Sequence, residues 1–354
     1  MVRVLLSCLL SLLLVSAPKA QDWTIANAVD AVITEAIVPS LAEYGVRTQS
    51  TASAVSALCT TPTQQNLDQA RQSFAALVEA WGQVEFFRLG PLTAENRLER
   101  TLYWPDRKGR GLRQVQGMIG NETPIVTDPA EIGGQSVAVQ GLLALEFVLF
   151  GTASDELATQ AGHQCAYASA ITQNLNTIAD ELIAGWQDEN GIAKLWLNPS
   201  DDNPLFRDES EQLKALLKVI EDGTEIMRVQ RLDPFLDSEP FNHKRALFWR
   251  SGLTFASLEG NVIGLQRVTT AARLAETVSG DDARVIDGMR FEWGNAMRVL
   301  EQTQIPVDIL ASDSEALGRV KYLRIVTQSI YDLSGSRIPA IFGLTAGFSS
   351  LDGD

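Results

Sequence analysis

Two carboxylates in apolar surroundings are the first residues of this sequence with a clear chemical use. The segment 137–150 reads VAVQGLLALEFVLF, in which Glu146 is the single ionisable group. A helix that is apolar all round is a buried helix, so Glu146 has to be paired, protonated or bound to a metal ion. Glu85 follows Trp81 by four residues on a helix predicted to end before Gly90, and it therefore shares the apolar face of that helix. Two inward carboxylates indicate either a functional site or a pair of buried salt bridges. The candidate partners for such salt bridges are Arg88, Arg113 and Arg250.

The amino-acid composition excludes several kinds of metal site and argues against nucleic-acid binding. The 354 residues include two histidines, three cysteines, 44 acidic and 29 basic side chains. Two histidines cannot form a three-histidine metal site, and three cysteines are too few for a zinc ribbon or an iron–sulfur cluster. The sequence contains no HExxH motif and no Gly-x-Ser-x-Gly turn. The formal charge of −15 argues against a general nucleic-acid binder, which needs clustered Lys and Arg to contact phosphates.

The first twenty residues, 1–20, are predicted to be a cleavable secretory signal peptide. Arg3 supplies the positive charge, residues 4–15 supply the apolar segment, and cleavage is expected after Ala20 or Ala17. This segment is too short to span a bilayer, and no other run approaches about 18 apolar residues, so no membrane span is expected after cleavage. Residues 5–8 resemble a lipobox but do not follow the apolar segment, so a lipid anchor is not expected.

Export leaves two cysteines in the mature chain, Cys59 and Cys165. In an oxidising compartment they are predicted to form a disulfide bond. Two buried free thiols are the alternative.

Hydrophobic periodicity predicts an all-α protein. Apolar residues recur at spacings of three and four over most of the chain, and alternating strand-like segments with hairpin turns are hard to find. The predicted helices cover 24–46, 63–89, 136–150, 165–187, 208–231, 244–275, 281–303 and 314–333. The segment 198–204 is rich in Pro, Asn and Asp and is interpreted as an interdomain linker. We therefore expect two antiparallel four-helix-type bundles, at 21–197 and 198–354, packed around a central cleft.

Several segments resemble the imelysin-like family of bacterial proteins. The main one runs from Gly141 to Glu146, and these two residues match the ends of the family motif GxHxxE. Further similar segments are 81–91, 103–106 and 347–354. The family is named for an insulin-cleaving membrane peptidase and includes iron-regulated and iron-uptake periplasmic proteins. The resemblance therefore implies a helical periplasmic protein with a link to iron.

The sequence departs from the family motif at its histidine, where this chain has Leu143. Leucine cannot coordinate a metal ion. In family members that bind metal, a glutamate after the tryptophan and an aspartate after Trp-Pro complete the site, which carries over to Glu85 and Asp106. With Glu146, these residues form an all-oxygen set that could hold a hard cation such as Ca²⁺ or Fe³⁺.

Two basic segments stand out in this acidic protein. The first is 104–114, with four cations that are either simply solvated or contact an acidic partner or a small anion. These cations are Arg107, Lys108, Arg110 and Arg113. The second is 244–251, where Trp249 and Arg250 are expected to open a long helix. Arg250 is the preferred partner of a buried carboxylate across the domain interface.

Three interpretations of function follow from these residues. The first is a non-catalytic periplasmic protein linked to iron or metal uptake, with a cleft between two bundles. The second is a metallopeptidase of the imelysin type with an atypical site, which Leu143 disfavours because a catalytic zinc needs three protein ligands. The third is a ligand-free scaffold that binds a partner protein through the basic loop. The expected partner is either a protein or a small ligand.

Overall fold

The structure, a computed structural model, describes residues 23–106 and 108–344 and is helical throughout, without a strand among these residues. The all-α prediction is confirmed. The signal peptide at 1–20 and the C-terminal segment 347–354 lie outside the described residues. The α-helices are α1 Ile25–Thr60, α2 Gln64–Gly82, α3 Arg97–Thr101, α4 Arg110–Gly120, α5 Leu142–Phe150, α6 His163–Gln187, α7 Ile192–Leu197, α8 Glu209–Glu225, α9 Asp233–Leu236, α10 Thr254–Ala272, α11 Asp281–Glu301, α12 Ser314–Asp332 and α13 Ile338–Ile341.

Two groups of helices pack side by side. In the first group the C-terminal part of α1 contacts α2 and α6, and α5 packs against α2 and α6. In the second group α10 and α12 pack against both α8 and α11. Helix α1 belongs to both groups, because its N-terminal part, up to Ile37, contacts α8 and α10. The division into domains at residue 198 stays a prediction.

Helix α1 is long and apolar enough, by length and composition, to cross a membrane, and it is the one such helix among the described residues. Half of its most apolar stretch is buried inside the protein. Val29, Ile37 and Tyr44 on this helix are fully buried. A core helix of a globular protein has this pattern, since its apolar face packs against other helices.

Helices α2 and α10 cross at glycines, which brings their backbones into contact. A Cβ atom on Gly82 would lie 2.7 Å from the carbonyl oxygen of Ser257, and one on Gly264 would lie 2.7 Å from the carbonyl oxygen of Gln83. A Cβ atom on Gly260 would collide with the carbonyl oxygen of Glu79. The two groups of helices can therefore approach this closely only because these positions lack side chains.

Replacing Gly260 by Ala is expected to lower the free energy of unfolding by about 1–3 kcal/mol, because the added methyl group overpacks a backbone contact that has to separate. Chemical denaturation followed by circular dichroism measures the change. The control is Gly318→Ala on α12, where an added Cβ meets no atom within 4 Å. Alanine favours helix over glycine by about 1 kcal/mol, so the control should be unchanged or more stable. Equal effects at both positions would contradict the close-contact explanation.

Several predicted helices have different ends in the structure. Helix α1 continues to Thr60, beyond the predicted end at residue 46, and α5 begins at Leu142, after the predicted start at residue 136. Helix α2 ends at Gly82, before Glu85, because Asn261 Nδ2 donates a 2.8 Å hydrogen bond to the carbonyl oxygen of Gly82 and takes the place of a helical donor. Helix α10 begins at Thr254, so Arg250 lies in the preceding loop. That loop contains Phe248 with φ of 54° and Gly252 with φ of 74°, and neither conformation continues a right-handed helix.

The predicted disulfide between Cys59 and Cys165 is present, with the two Cα atoms 5.5 Å apart. It joins the C-terminal end of α1 to the first turn of α6. The two helices also pack along their length, so the bond fixes a contact that the core already makes. The bond closes a chain segment of 106 residues.

Candidate functional site

Helix α5 begins at the family-motif glycine because the chain there presses against another backbone. A Cβ atom on Gly141 would collide with the carbonyl oxygens of Arg100 and Thr101. Position 141 therefore requires glycine. Leu143 and Glu146, three residues apart on the helix that follows, both face the same pocket.

Glu146 is 1% exposed, and its polar partners, Ser251 and Arg250, lie in the loop before α10. Its Oε1 atom accepts hydrogen bonds from the Ser251 backbone N–H at 2.9 Å and from Ser251 Oγ at 2.8 Å. Arg250 Nη1 lies 3.5 Å from its Oε2 atom. Burial raises the pKa of Glu146, while the Ser251 hydrogen bonds and the Arg250 charge oppose this shift. Of the three arginines considered from the sequence, Arg250 is therefore the one paired with this carboxylate.

A cavity of about 200 Å³ opens beside Glu146. The charged residues of its lining are Glu146, Arg250, Lys244 and Asp106. Its apolar lining is largely aromatic, with contributions from α4, α5 and the two basic segments. The aromatic residues are Tyr103, Trp104, Phe147, Phe248 and Trp249. This volume corresponds to roughly six or seven water molecules, which suits a small organic ligand better than a bare ion.

Asp106 lines this pocket but uses its carboxylate to cap α4. Its Oδ1 atom accepts the backbone N–H of Arg110 at 2.8 Å, and its Oδ2 atom accepts that of Leu112 at 3.1 Å. A carboxylate at a helix N-terminus satisfies donors that have no partner within the helix. Asp106 is therefore held as a structural cap.

Glu85 does not line the pocket; it lies in a separate buried ion pair at the end of α2. Its Oε2 atom accepts a 2.6 Å hydrogen bond from Arg231 Nη2, and its Oε1 atom accepts one of 2.8 Å from Asn261 Nδ2. Glu85 is 1% exposed and Arg231 3% exposed. Arg88 is half-buried nearby, with Nε 3.5 Å from the carbonyl oxygen of Glu85, and burial lowers its pKa against the opposing charge of Glu85.

The three carboxylates expected to hold a metal ion do not fit that role in this structure. Glu85 points to Arg231 and Asn261, Asp106 caps a helix, and Glu146 faces Arg250 and Ser251. Among residues 23–106 and 108–344, no group of three or more His, Cys, Asp or Glu side chains is placed to hold a metal ion. A cation would compete with a guanidinium at Glu146 and at Glu85, which is unfavourable on charge alone.

Two residues of these clusters were not singled out from the sequence. Ser251 follows Arg250 and gave no signal, since its role depends on a loop with two left-handed residues. Arg231 pairs with a glutamate 146 residues away, and nothing in the local sequence indicates that partner.

Comparison with solved structures supports the fold. An imelysin-like protein from Psychrobacter arcticum 273-4 is 20% identical, covers 92% of this chain and 99% of its own, and has a TM-score of 0.74. A protein described as an iron-regulated protein A precursor, from Parabacteroides distasonis ATCC 8503, is 12% identical over 90% of this chain and 97% of its own, with a TM-score of 0.69. No protein with a curated function matches the sequence.

The family assignment rests on the sequence itself. The imelysin family, peptidase M75, matches residues 37–330. This range includes both helix groups, the glycine and glutamate of the motif, and the aromatic pocket. The resemblance stated from the motifs is confirmed, and the chain belongs to the imelysin family.

Proposed function

We propose that this protein is an exported, non-catalytic binding protein that holds a small organic ligand in the pocket beside Glu146. The observation that carries the proposal is the cavity of about 200 Å³ with aromatic walls and four charged side chains in its lining. Enclosed apolar pockets with few polar groups are typical of small-molecule sites. The predicted signal peptide supports a periplasmic location, as does the precursor name of the solved neighbour.

A link to iron supply is part of the proposal and is supported by the iron-regulated name of that neighbour. The charged groups of this pocket determine whether iron would bind as a bare ion or within an organic complex. Because Glu146 is paired with Arg250, a bare Fe³⁺ or Ca²⁺ ion would have to compete with a guanidinium for this carboxylate. Iron handled by this chain would arrive within a complex of an organic ligand.

The two alternative functions, a metallopeptidase and a ligand-free scaffold, require different sites. A metallopeptidase of the imelysin type requires three ligands and an activated water, and the pocket contributes Glu146 and Asp106 as its anionic side chains. A ligand-free scaffold requires no pocket. The aromatic pocket therefore favours a binding role over both.

Thermal unfolding with a broad set of organic acids, amines and neutral aromatic compounds tests the binding role. Several compounds should raise the Tm of the mature protein, as any ligand of the folded state does. The variant Leu143→Trp fills the pocket from α5 and should abolish these shifts. Ile325→Trp adds the same side chain at a position that is 64% exposed on α12, and it should leave the shifts unchanged. Shifts that persist in Leu143→Trp would contradict binding in this pocket.

Metal titration of the same preparations decides between binding and peptidase activity. If the wild type binds one equivalent of Fe³⁺ or Ca²⁺ and Glu146→Gln does not, the proposal that the pocket binds no bare metal ion is wrong. Cleavage of an unfolded peptide that stops on chelation and in Glu146→Gln would establish the peptidase. We expect neither result, because Glu146 already has Arg250 and Ser251 as partners.

A further inference from the structure

We propose that the ligand of the Glu146 pocket is a small aromatic molecule that carries a carboxylate or an equivalent anionic group. This inference rests on the proposed binding function and names the class of its ligand. It follows from three features: which polar groups retain bonding capacity, how Arg250 is oriented, and which charges surround the entrance.

The acidic groups of the pocket have little capacity left for a ligand. Both oxygens of Asp106 accept backbone N–H groups of α4. Glu146 Oε1 accepts two hydrogen bonds from Ser251, and Oε2 faces Arg250. A ligand cation at Glu146 would meet the positive charge of Arg250, and one at Asp106 would compete with the backbone donors of the helix cap.

The basic groups of the pocket, in contrast, have donors that are available to a ligand. Arg250 lines the cavity with a side chain that is 17% exposed, and its guanidinium makes no hydrogen bond to the described residues. Its ion pair with Glu146 is long, at 3.5 Å. Lys244 also lines the cavity, is exposed and forms no ion pair with a described residue. The side-chain charges that remain available to a ligand are therefore cationic.

Two aromatic rings hold the guanidinium of Arg250. Its Cζ atom lies 4.5 Å from the ring centroid of Trp249 and 5.2 Å from that of Phe147. Lys244 Nζ lies 5.6 Å from the ring of Trp249 on the same loop. Rings that fix a guanidinium by cation–π contact also limit its rotation, so that its N–H edge can meet a planar carboxylate in a bidentate manner.

Aromatic walls next to this anion-binding edge select the rest of the ligand. Trp104 donates its Nε1 hydrogen to the carbonyl oxygen of Gln230 at 2.9 Å, so its polar atom is occupied and its ring is left for packing. Tyr103, Leu112 and Leu143 complete the apolar part of the wall. Aromatic side chains favour offset or edge contacts with a second ring, which an aromatic ligand provides.

Further cations lie near the entrance. Lys108 and Arg110 flank Gly109, which lines the pocket, and Arg113 Nη1 donates a hydrogen bond to the carbonyl oxygen of Lys108. All three are exposed and form no ion pair with a described residue. In a chain with a formal charge of −15, such a local excess of positive charge attracts anions to this one site.

Isothermal titration with a matched series of probes tests the ligand class. Phenylacetate, phenylacetamide and 2-phenylethylamine share one ring and differ in charge, and acetate lacks the ring. We expect phenylacetate to bind at least tenfold more tightly than the amide, the amine or acetate, with an affinity that falls as salt is added. Tight binding of acetate would indicate a simple anion site and would overturn the aromatic part of the inference.

Arginine variants assign the anion contact. Arg250→Gln should weaken phenylacetate at least tenfold and leave phenylacetamide within about twofold, since charge-assisted hydrogen bonds are the stronger ones. Lys244→Gln, at an exposed position, should weaken phenylacetate about threefold and covers the case in which Arg250→Gln fails to fold. The control Arg284→Gln removes one charge from a side chain that is 81% exposed on α11, and it should change nothing.

The outcomes separate this inference from the function on which it rests. If the amide or the amine binds as tightly as phenylacetate, and Leu143→Trp abolishes that binding, the pocket binds ligands but the anionic class is wrong. If none of the four probes binds, the anionic aromatic class is wrong as well, while the broad thermal screen decides the binding function separately.

Discussion

Loss of the Cys59–Cys165 disulfide is expected to lower the free energy of unfolding by about 4.7 kcal/mol in the chain-entropy model. The reason is the length of the closed segment, 106 residues, whose freedom in the unfolded chain the bond removes. The double variant Cys59→Ala with Cys165→Ala measures the effect in urea or guanidinium titrations without reductant. A loss of this size is a large part of the 5–15 kcal/mol that typical domains possess.

Reduction of the wild-type protein is the control for side-chain effects. Cys165 is 2% exposed and Cys59 is half-buried, so truncation to alanine also removes some packing. The reduced wild type keeps both sulfur atoms and should lose nearly as much stability as the double variant. If reduction costs less than about 1 kcal/mol, the contact between α1 and α6 restrains the chain without the bond, and the chain-entropy argument fails.

The parts of the molecule that could be predicted from sequence are those with local causes. Glu146 stands alone in fourteen residues, so its burial and its need of a partner followed from composition. Without the predicted signal peptide at 1–20, two cysteines remain, and they have one possible pairing. Periodicity identified most of the long helices, because the α-helical repeat is visible over several turns, but it missed the short helices α3, α4 and α7 and the second half of α1.

The parts that could not be predicted depend on distant contacts. Helix α2 was expected to continue past Glu85, but a donor from Asn261 ends it at Gly82, and the hydrogen bond to Glu85 spans 176 residues. Phe248 adopts a positive φ that its residue type does not indicate. The sequence pattern therefore predicts a helix where the structure has the loop that carries Arg250. Long-range packing overrides local propensity at these points.

The two motif residues that this chain shares with the family, Gly141 and Glu146, have structural roles in the pocket. Gly141 is required by backbone contact with Arg100 and Thr101, whatever the site binds. Glu146 keeps its position on the same face as Leu143, yet Ser251 and Arg250 occupy its oxygens. In this chain, packing therefore accounts for Gly141, and an internal ion pair with hydrogen bonds accounts for Glu146.

Replacing Arg231 by Met is expected to destabilise the protein by about 3–5 kcal/mol, because it leaves the buried carboxylate of Glu85 without its cation. Asn261 then remains as the hydrogen-bond partner of the Glu85 side chain. The pair is buried on both sides, at 1% and 3% exposure, so solvent cannot replace the lost partner without opening the contact between α2 and α10. Urea titration of the variant, with the m-value checked for two-state behaviour, measures the loss.

Removing both charges separates the value of the ion pair from the cost of an unpaired charge. Two nitrogen atoms of Arg231, Nε and Nη1, have no hydrogen-bond partner among the described residues, so this pair does not satisfy all of its donors. The double variant Glu85→Leu with Arg231→Met should therefore recover most of the stability lost in Arg231→Met, since apolar replacement of a buried pair is often neutral or stabilising. A double variant as unstable as the single one would show that Glu85 and Arg231 act through separate contacts. In that case the hydrogen bond from Asn261, and not the ion pair, would hold the end of α2.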